Sequence, residues 1–463
     1  MKTLTLALRN LLRNRRRSLT TLAAMVIGVV TVVIFGGYTR NITYGLETQT
    51  VRRIGHLQIQ RKDYFLYGTG NPGAYGIADY RRVIDIVSGD PVLEPMLTVV
   101  TPTLALGGIA GNFSVGASRT VLAGGTIVDD QNRMRLWDDY QVPFVARPLA
   151  LSGTAGDAAI LGAGVARVLQ LCGQLSVPNC RERAAEAPGG SAAPADIAEL
   201  AAREAPRAPA AVAPEVRIEL LAASVRGAPN VASLHVVKAE SQGVKELDDV
   251  YVGMHLAQAQ RLVYGGDKPQ VTAVVVQLRH TSQIPAARAR LEDLLATTLK
   301  GEQLEVLDFG TLNPFYTQVI AMFAVIFGFI AVLIGAIVLF TVSNTMTMVV
   351  VERTTEIGTL RAIGLRRSGI RRLFVSEGLL LGLIGSVVGV AVAIGLAWLV
   401  NHSGLSWIPP GQADRLPLTV RVWGETGLML GTAVGLILVA TVSAWLPARR
   451  GARMNIVDAL RHV

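Results

Sequence analysis

Apolar residues gather into four long runs, at 19–37, 319–350, 373–400 and 427–446. A helix needs about 20 apolar residues to cross a hydrocarbon core of about 30 Å, so each run predicts a transmembrane helix. The second run extends upstream, where Asn313 suits an N-cap and Pro314 a first helical position. A helix over 314–351 would be about 57 Å long at about 1.5 Å per residue. That exceeds the hydrocarbon thickness, so the helix must tilt or project as a stalk.

Between the first two runs the pattern shortens. Residues 271–278 (VTAVVVQL) are rich in β-branched side chains and predict a strand. Residues 286–299 have helical spacing, with Leu291, Leu294, Leu295 and Leu299 on one side. A further short strand is expected at 303–307. Leu57 and Ile59 alternate with polar neighbours, and 78–87 reads as a helix. The fold class expected for 38–315 is α+β. Within it, 181–215 is mostly Ala, Pro, Glu and Arg. Such a segment buries little, so a mobile insertion is expected, with a helical turn at 195–203 and a partner-binding arm as the alternative.

Charge fixes the topology. The chain carries a net +10. Residues 1–17 (with Lys2, Arg9, Arg13, Arg15, Arg16 and Arg17) contribute +6, residues 351–372 +4 and residues 447–463 +3, so the remainder is net acidic. The basic excess flanks the spans instead of forming a nucleic-acid surface, as the positive-inside rule requires. The expected order is a cytoplasmic amphipathic elbow at 1–18, spans at 19–37, 316–350, 373–400 and 425–446, an external domain at 38–315, a cytoplasmic segment at 351–372, a short external loop at 401–424 and a cytoplasmic tail at 447–463. On the elbow, Leu4, Leu8, Leu11 and Leu12 share one face opposite arginines. An uncleaved first span is favoured over a signal peptide, because no small-x-small cleavage site follows it.

Several chemistries are missing from the sequence. It contains no G-x-x-x-x-G-K-[ST] phosphate loop, no HExxH and no G-x-S-x-G. "AILGAGVARVL" fails as a dinucleotide fingerprint because Arg167 stands where Gly or Ala is needed, and it reads instead as a tight strand-to-helix turn. Asp129 and Asp130 read as a solvated helix start. No catalytic residue, metal site or cofactor is expected in this chain; any ATP is hydrolysed by another polypeptide. Cys172 and Cys180 lie eight positions apart in the external region, where a structural disulfide is favoured over two free thiols.

The segment "VERTTEIGTLRAIGLRRSGIRR" separates the second and third spans. Glu352 and Glu356 suit a helix start. Ile357, Leu360 and Ile363 form an apolar stripe with Arg361 beside it, and Gly364 is a natural stop. Residues 365–368 then turn the chain, and 369–372 lead into the third span. A short amphipathic helix on the cytoplasmic face is expected. Glu352, Glu356, Ile357, Leu360 and Arg361 are the candidate contacts to a partner, and Gly358 allows close approach. Small residues at Gly378, Gly382, Gly385 and Gly389 and at Gly427, Gly431 and Gly435 permit close helix packing, within one subunit or across a dimer.

"ERTTEIGTLRAIGLRRSGI" followed by "SEGLLLGLIGSVVGV" resembles the FtsX-like permease family of ABC transporters, which includes Lol-type lipoprotein-releasing and MacB-type export permeases. Residues 1–37 resemble that family's elbow and first span. "GHLQIQ", "LHVVKAESQGVKELDDVYVGMHLAQAQRLV" and "VTAVVVQLRHTSQIPAARARLEDLL" resemble the periplasmic domain of its lipoprotein-releasing branch. The 181–215 insertion and the Cys pair match no family pattern. The resemblance implies a multi-pass bacterial inner-membrane protein that pairs with a second permease subunit, the same or different. Two ATPase subunits carrying ATP and magnesium would grip the segment that includes Arg353, Ile363 and Gly364. Their closure would drive work outside the membrane, on lipoprotein or another lipid-linked substrate, with a lipoprotein carrier or periplasmic adaptor as a further partner. The resemblance leaves a MacB-like drug or peptide exporter and a non-transporting regulator of cell-wall hydrolases as alternatives.

Overall fold

A computed structural model describes residues 2–13, 15–68, 70–142, 146–178, 180, 215–408 and 415–455. The insertion, apart from its last residue, and the end of the tail lie outside the described residues, as do the side chains of Leu4 and Leu12. In chain order the helices are α1 (Lys2–Arg13), α2 (Arg15–Ile54), α3 (Tyr80–Ser88), α4 (Val128–Arg135), α5 (Ala163–Val168), α6 (Leu256–Tyr264), α7 (Ile284–Thr297), α8 (Pro314–Glu352), α9 (Thr354–Ala362), α10 (Arg367–His402) and α11 (Thr426–Arg453), with short helical turns at Lys245–Asp248 and Phe309–Leu312. The strands are β1 (Leu57–Arg61), β2 (Leu97–Asn112), β3 (Ala117–Thr126), β4 (Ala158–Gly162), β5 (Arg217–Ala223), β6 (Pro229–Glu240), β7 (Tyr251–His255), β8 (Ala273–Leu278), β9 (Leu304–Asp308), β10 (Ser406–Trp407) and β11 (Leu416–Pro417).

The chain divides into two compact units, one made of 1–46, 315–407 and 416–463 and the other of 47–314 and 408–415. In the sheet unit, nine strands run in the order β3-β7-β4-β6-β5-β2-β8-β1-β9. An extra pairing of β3 with β2 closes six of them, β2, β3, β7, β4, β6 and β5, into a ring. Closure removes the unpaired edges that an open sheet would carry. Leu104, Val121, Leu161, Leu220, Leu234 and Val252 belong to the core of this unit. Pairs β3–β7 and β4–β6 are parallel and the remaining pairs antiparallel.

Strand β1 lies between β8 and β9, with Leu57 opposite Val276 and Asp308. The alternation at Leu57 and Ile59 therefore does not mark a solvated face. Gln58 and Gln60 are buried too. Gln58 Nε2 donates to the carbonyl of Ile54 at the end of α2, 2.9 Å away, and Gln60 Nε2 donates to Gln58 Oε1 at 2.8 Å. Beside them, His56 Nδ1 accepts the Leu278 N–H at 3.0 Å, and its ring stands edge-on to Trp137. Burial lowers the His56 pKa from 6.5 to about 3, so the ring is neutral at physiological pH.

The turn from β4 into α5 needs glycine for approach, not for an unusual φ. A Cβ on Gly162 would lie 2.3 Å from the Asp248 carbonyl oxygen, and one on Gly164 2.0 Å from Asp249 Oδ1. Cys172 and Cys180 form a disulfide with Cα atoms 5.5 Å apart.

In the other unit, α2, α8, α10 and α11 are each long and apolar enough to cross a membrane. They extend beyond the expected spans. Helix α2 runs 40 residues, past 19–37, and α11 continues through Pro447 to Arg453, into the segment expected to be tail. Helix α10 begins at Arg367, so Gly369 is already helical and the turn expected at 365–368 shortens.

Candidate functional site

Helix α8 ends at Glu352, and Arg353 breaks the helical run with φ −99° and ψ 19°. Thr354 Oγ1 turns back onto the carbonyls of Val350 and Val351, at 3.2 and 2.6 Å, which holds the bend. Helix α9 follows and stops in a Schellman arrangement. The Leu365 N–H donates to the Leu360 carbonyl and the Gly364 N–H to the Arg361 carbonyl, with Gly364 at φ +105°. A left-handed residue is required there, which is why glycine ends the helix.

The expected stripe of Ile357, Leu360 and Ile363 splits. A step of three residues falls about 60° short of a full turn, so the three drift around the helix. Ile357 is 3% exposed and packs with Val350, Ile370, Phe374 and Ala448. Leu360 is 41% and Ile363 80% exposed. Gly358 is buried, on the inner side with Ile357. Of the apolar residues expected to meet a partner, Leu360 and Ile363 are presented outward, and Ile357 is core.

The charged residues are engaged inside the chain. Arg353 pairs with Glu377 of α10 at 3.3 Å, with side chains only 9% and 3% exposed. Asn10 of α1 donates to Glu377 Oε1 at 2.6 Å, and Arg353 Nη2 donates to the Asn10 carbonyl at 3.4 Å. Nearer the surface, Arg17 pairs with Glu352 at 2.5 Å, and Arg13 pairs with Glu356. Arg361 donates to the Met454 carbonyl just past α11. Glu352, Arg353, Glu356 and Arg361 therefore tie α9 and its entrance to α1, α2, α10 and the end of α11. Asn10 does not stand out in the sequence, whereas Glu377 is the one charged residue within the apolar run 373–400, a signal that could have found it.

The glycines divide by helix. A Cβ on Gly378 would lie 2.6 Å from Ala444 Cβ, and one on Gly382 3.0 Å from Ile437 Cα, both on α11. Gly385 and Gly389 face α2, where added Cβ atoms would lie 3.0 Å from Met25 Cβ and 2.6 Å from Val29 Cβ. A Cβ on Gly427, Gly431 or Gly435 would meet nothing within 4 Å, so their spacing does not serve packing among the described residues.

Residues 325–456, which take in most of α8 and all of α9, α10 and α11, match the family described as FtsX-like permease C-terminal. They are an FtsX-like permease domain. This is a membrane protein, with four candidate spans among the described residues. The permease domain has named relatives. The chain is 39% identical over 137 residues to the ABC transporter permease YtrF of Bacillus subtilis, covering 29% of this chain and 30% of that protein. It is 27% identical over 244 residues to the lipoprotein-releasing system transmembrane protein LolC of Neisseria meningitidis, covering 50% and 56%. It is 28% identical over 198 residues to the macrolide export ATP-binding/permease protein MacB of Escherichia coli, covering 42% and 28%. The chain thus spans about half of the LolC protein and less of the other two. Asn10, Arg13 and Arg17 lie outside the permease domain that they hold by its short helix.

Proposed function

We propose that this chain is the permease subunit of an ABC transporter, with α9 as the coupling helix that a separate ATPase subunit grips. The observation that carries this is the short helix α9 between two candidate spans, presenting Leu360 and Ile363 outward while Ile357 and Gly358 are buried and Glu356 and Arg361 are engaged inside the chain. The termini and α9 are cytoplasmic, and the sheet unit lies in the periplasm of a bacterial inner-membrane protein, because the basic residues crowd one side of the spans. The ATPase carries ATP and magnesium. Its closure displaces α9, and the work is done outside the membrane by mechanotransmission.

Lipoprotein release or movement of another lipid-linked substrate is the preferred activity. It is supported by the match to LolC, which covers more of both chains than the matches to YtrF and to the Escherichia coli MacB. The MacB likeness supports drug or peptide export with a periplasmic adaptor as a second reading. A second permease subunit, identical or not, completes the transporter.

Leu360→Asp tests the docking role. Burying an unpaired charge in the docked surface costs several kcal/mol, and each about 1.4 kcal/mol is tenfold in affinity. The variant should insert normally and lose its ATPase on purification from native membranes. Full retention of the ATPase together with normal export would refute the assignment of α9.

A further inference from the structure

The polar contacts that tie the start of α9 to α1, α2 and α10 fall into two tiers. The inner tier joins Glu377 and Arg353, both buried, to the half-buried Asn10. The outer tier is not: Arg13 and Glu356 are 64% and 48% exposed, and Arg17 and Glu352 33% and 41%. Both outer arginines belong to the 1–17 segment, which has six basic residues and no acid. Arg17 lies two residues and Arg13 six residues before the apolar run at 19–37, which places them near headgroup depth. Leu8 of α1, the short helix that carries Arg13, is an exposed apolar side chain, suited to lie in an interface.

An exposed ion pair contributes little net stability. The attraction of one arginine to an anionic membrane surface is of the same order. Glu352 and Glu356 therefore face a competitor of comparable strength for Arg17 and Arg13, whereas Glu377 is shielded from it. We infer that anionic phospholipid headgroups compete with Glu352 and Glu356 for Arg17 and Arg13, so that membrane charge sets how tightly α1 and the start of α2 hold α9. The inner tier, the packing of Ile357 and the Arg361 contact keep α9 attached in either state, and the outer tier sets how tightly its start is held against α1 and α2. The functional weight of this device rests on α9 being the coupling helix. The lipid competition itself does not depend on that assignment.

The test uses the full chain with spin labels at Leu6→Cys and Ile363→Cys, reconstituted without ATPase in nanodiscs of phosphatidylcholine alone or mixed equally with phosphatidylglycerol. Because the ATPase is absent, a failure of the docking assignment leaves the measurement unchanged. The ratio of close to distant label pairs should fall about fivefold when phosphatidylglycerol is added, the scale expected for one contested pair. Glu352→Gln with Glu356→Gln should give the open distribution already in phosphatidylcholine. Arg13→Gln with Arg17→Gln should do the same and should not respond to phosphatidylglycerol. A wild-type distribution that is identical in both membranes would overturn the inference. So would a lipid response in the arginine variant as large as that of the wild type.

Discussion

Glu377→Leu is the sharpest perturbation of the permease domain. It leaves the Arg353 guanidinium, almost fully buried, with the Asn10 carbonyl at 3.4 Å in place of a carboxylate. Removing one member of a buried pair costs about 3–5 kcal/mol, because the remaining charge is uncompensated. Arg353 sits at the hinge where α8 becomes α9, and its carbonyl accepts the Ile357 N–H at 2.9 Å. The cost therefore falls on the attachment of α9. At about 1.4 kcal/mol per tenfold, opening of α9 should rise at least a hundredfold. Hydrogen exchange of peptides covering residues 354–362, with the protein in nanodiscs, measures that opening directly.

The double variant Arg353→Met with Glu377→Leu separates charge from shape. Replacing a buried ion pair by apolar side chains of similar volume is often neutral or stabilising by about 1–4 kcal/mol. The double variant should therefore recover most of the protection lost in Glu377→Leu. If Glu377→Leu exchanges like the wild type, the pair does not hold α9. If the double variant is as exposed as the single one, the loss comes from packing and not from an uncompensated charge.

Three further outcomes are expected. His56 has a folded pKa depressed from 6.5 to about 3, so its contribution is intact above about pH 6.5 and is lost as pH falls toward 3, at about 1.4 kcal/mol per unit; urea unfolding of His56→Asn should lack that share of the acid sensitivity, and equal slopes for both proteins would contradict it. Gly378→Leu should destabilise the helix pair by about 1–3 kcal/mol through overpacking, whereas Gly431→Leu should leave the thermal midpoint of the isolated subunit unchanged; equal losses would count against the two environments. A cysteine placed at residue 200 should react with an impermeant reagent added to spheroplasts, and labelling only after lysis would reverse the proposed topology.

The four spans are legible because each is set by a local property, an apolar run with basic residues at one end. The same holds for β8 and α7, where a β-branched run or leucines at helical spacing dominate a short window. Strand β2 is not legible in that way. It contains Pro102, Gly107, Gly108 and Gly111, residues that read as breakers, yet it runs 16 residues by changing partners from β8 to β3 and β5. In β3, Gly125 looks like a turn residue but serves the approach of α6, since an added Cβ would lie 2.4 Å from Ala259 Cβ. The charged residues of α9 are visible in the sequence and their partners are not. Arg13 and Glu356 are 343 positions apart, and Asn10 and Glu377 are 367. Side-chain spacing predicts neighbours three or four residues away on one helix, and no such rule reaches across the chain.

The arrangement makes α10 the helix on which the others converge. Glu377 and Gly378 are consecutive. One holds Asn10 and Arg353, and the other admits Ala444 of α11 to a distance that a larger side chain would forbid. One and two turns further on, Gly382 again faces α11 and Gly385 faces α2. Ile370 and Phe374 of α10 form the apolar floor on which Ile357 sits. Pulling α9 away from α10 would expose Ile357 and strand two buried charges at once, so a force applied to Leu360 or Ile363 meets less resistance if α10 moves with α9. Any displacement of α10 in turn carries the glycine contacts to α2 and α11. The small residues of α10 and its single buried carboxylate thus make one mechanical unit of the short helix and the spans packed against α10. Gly427, Gly431 and Gly435 of α11, with nothing within 4 Å, lie outside that unit's internal contacts.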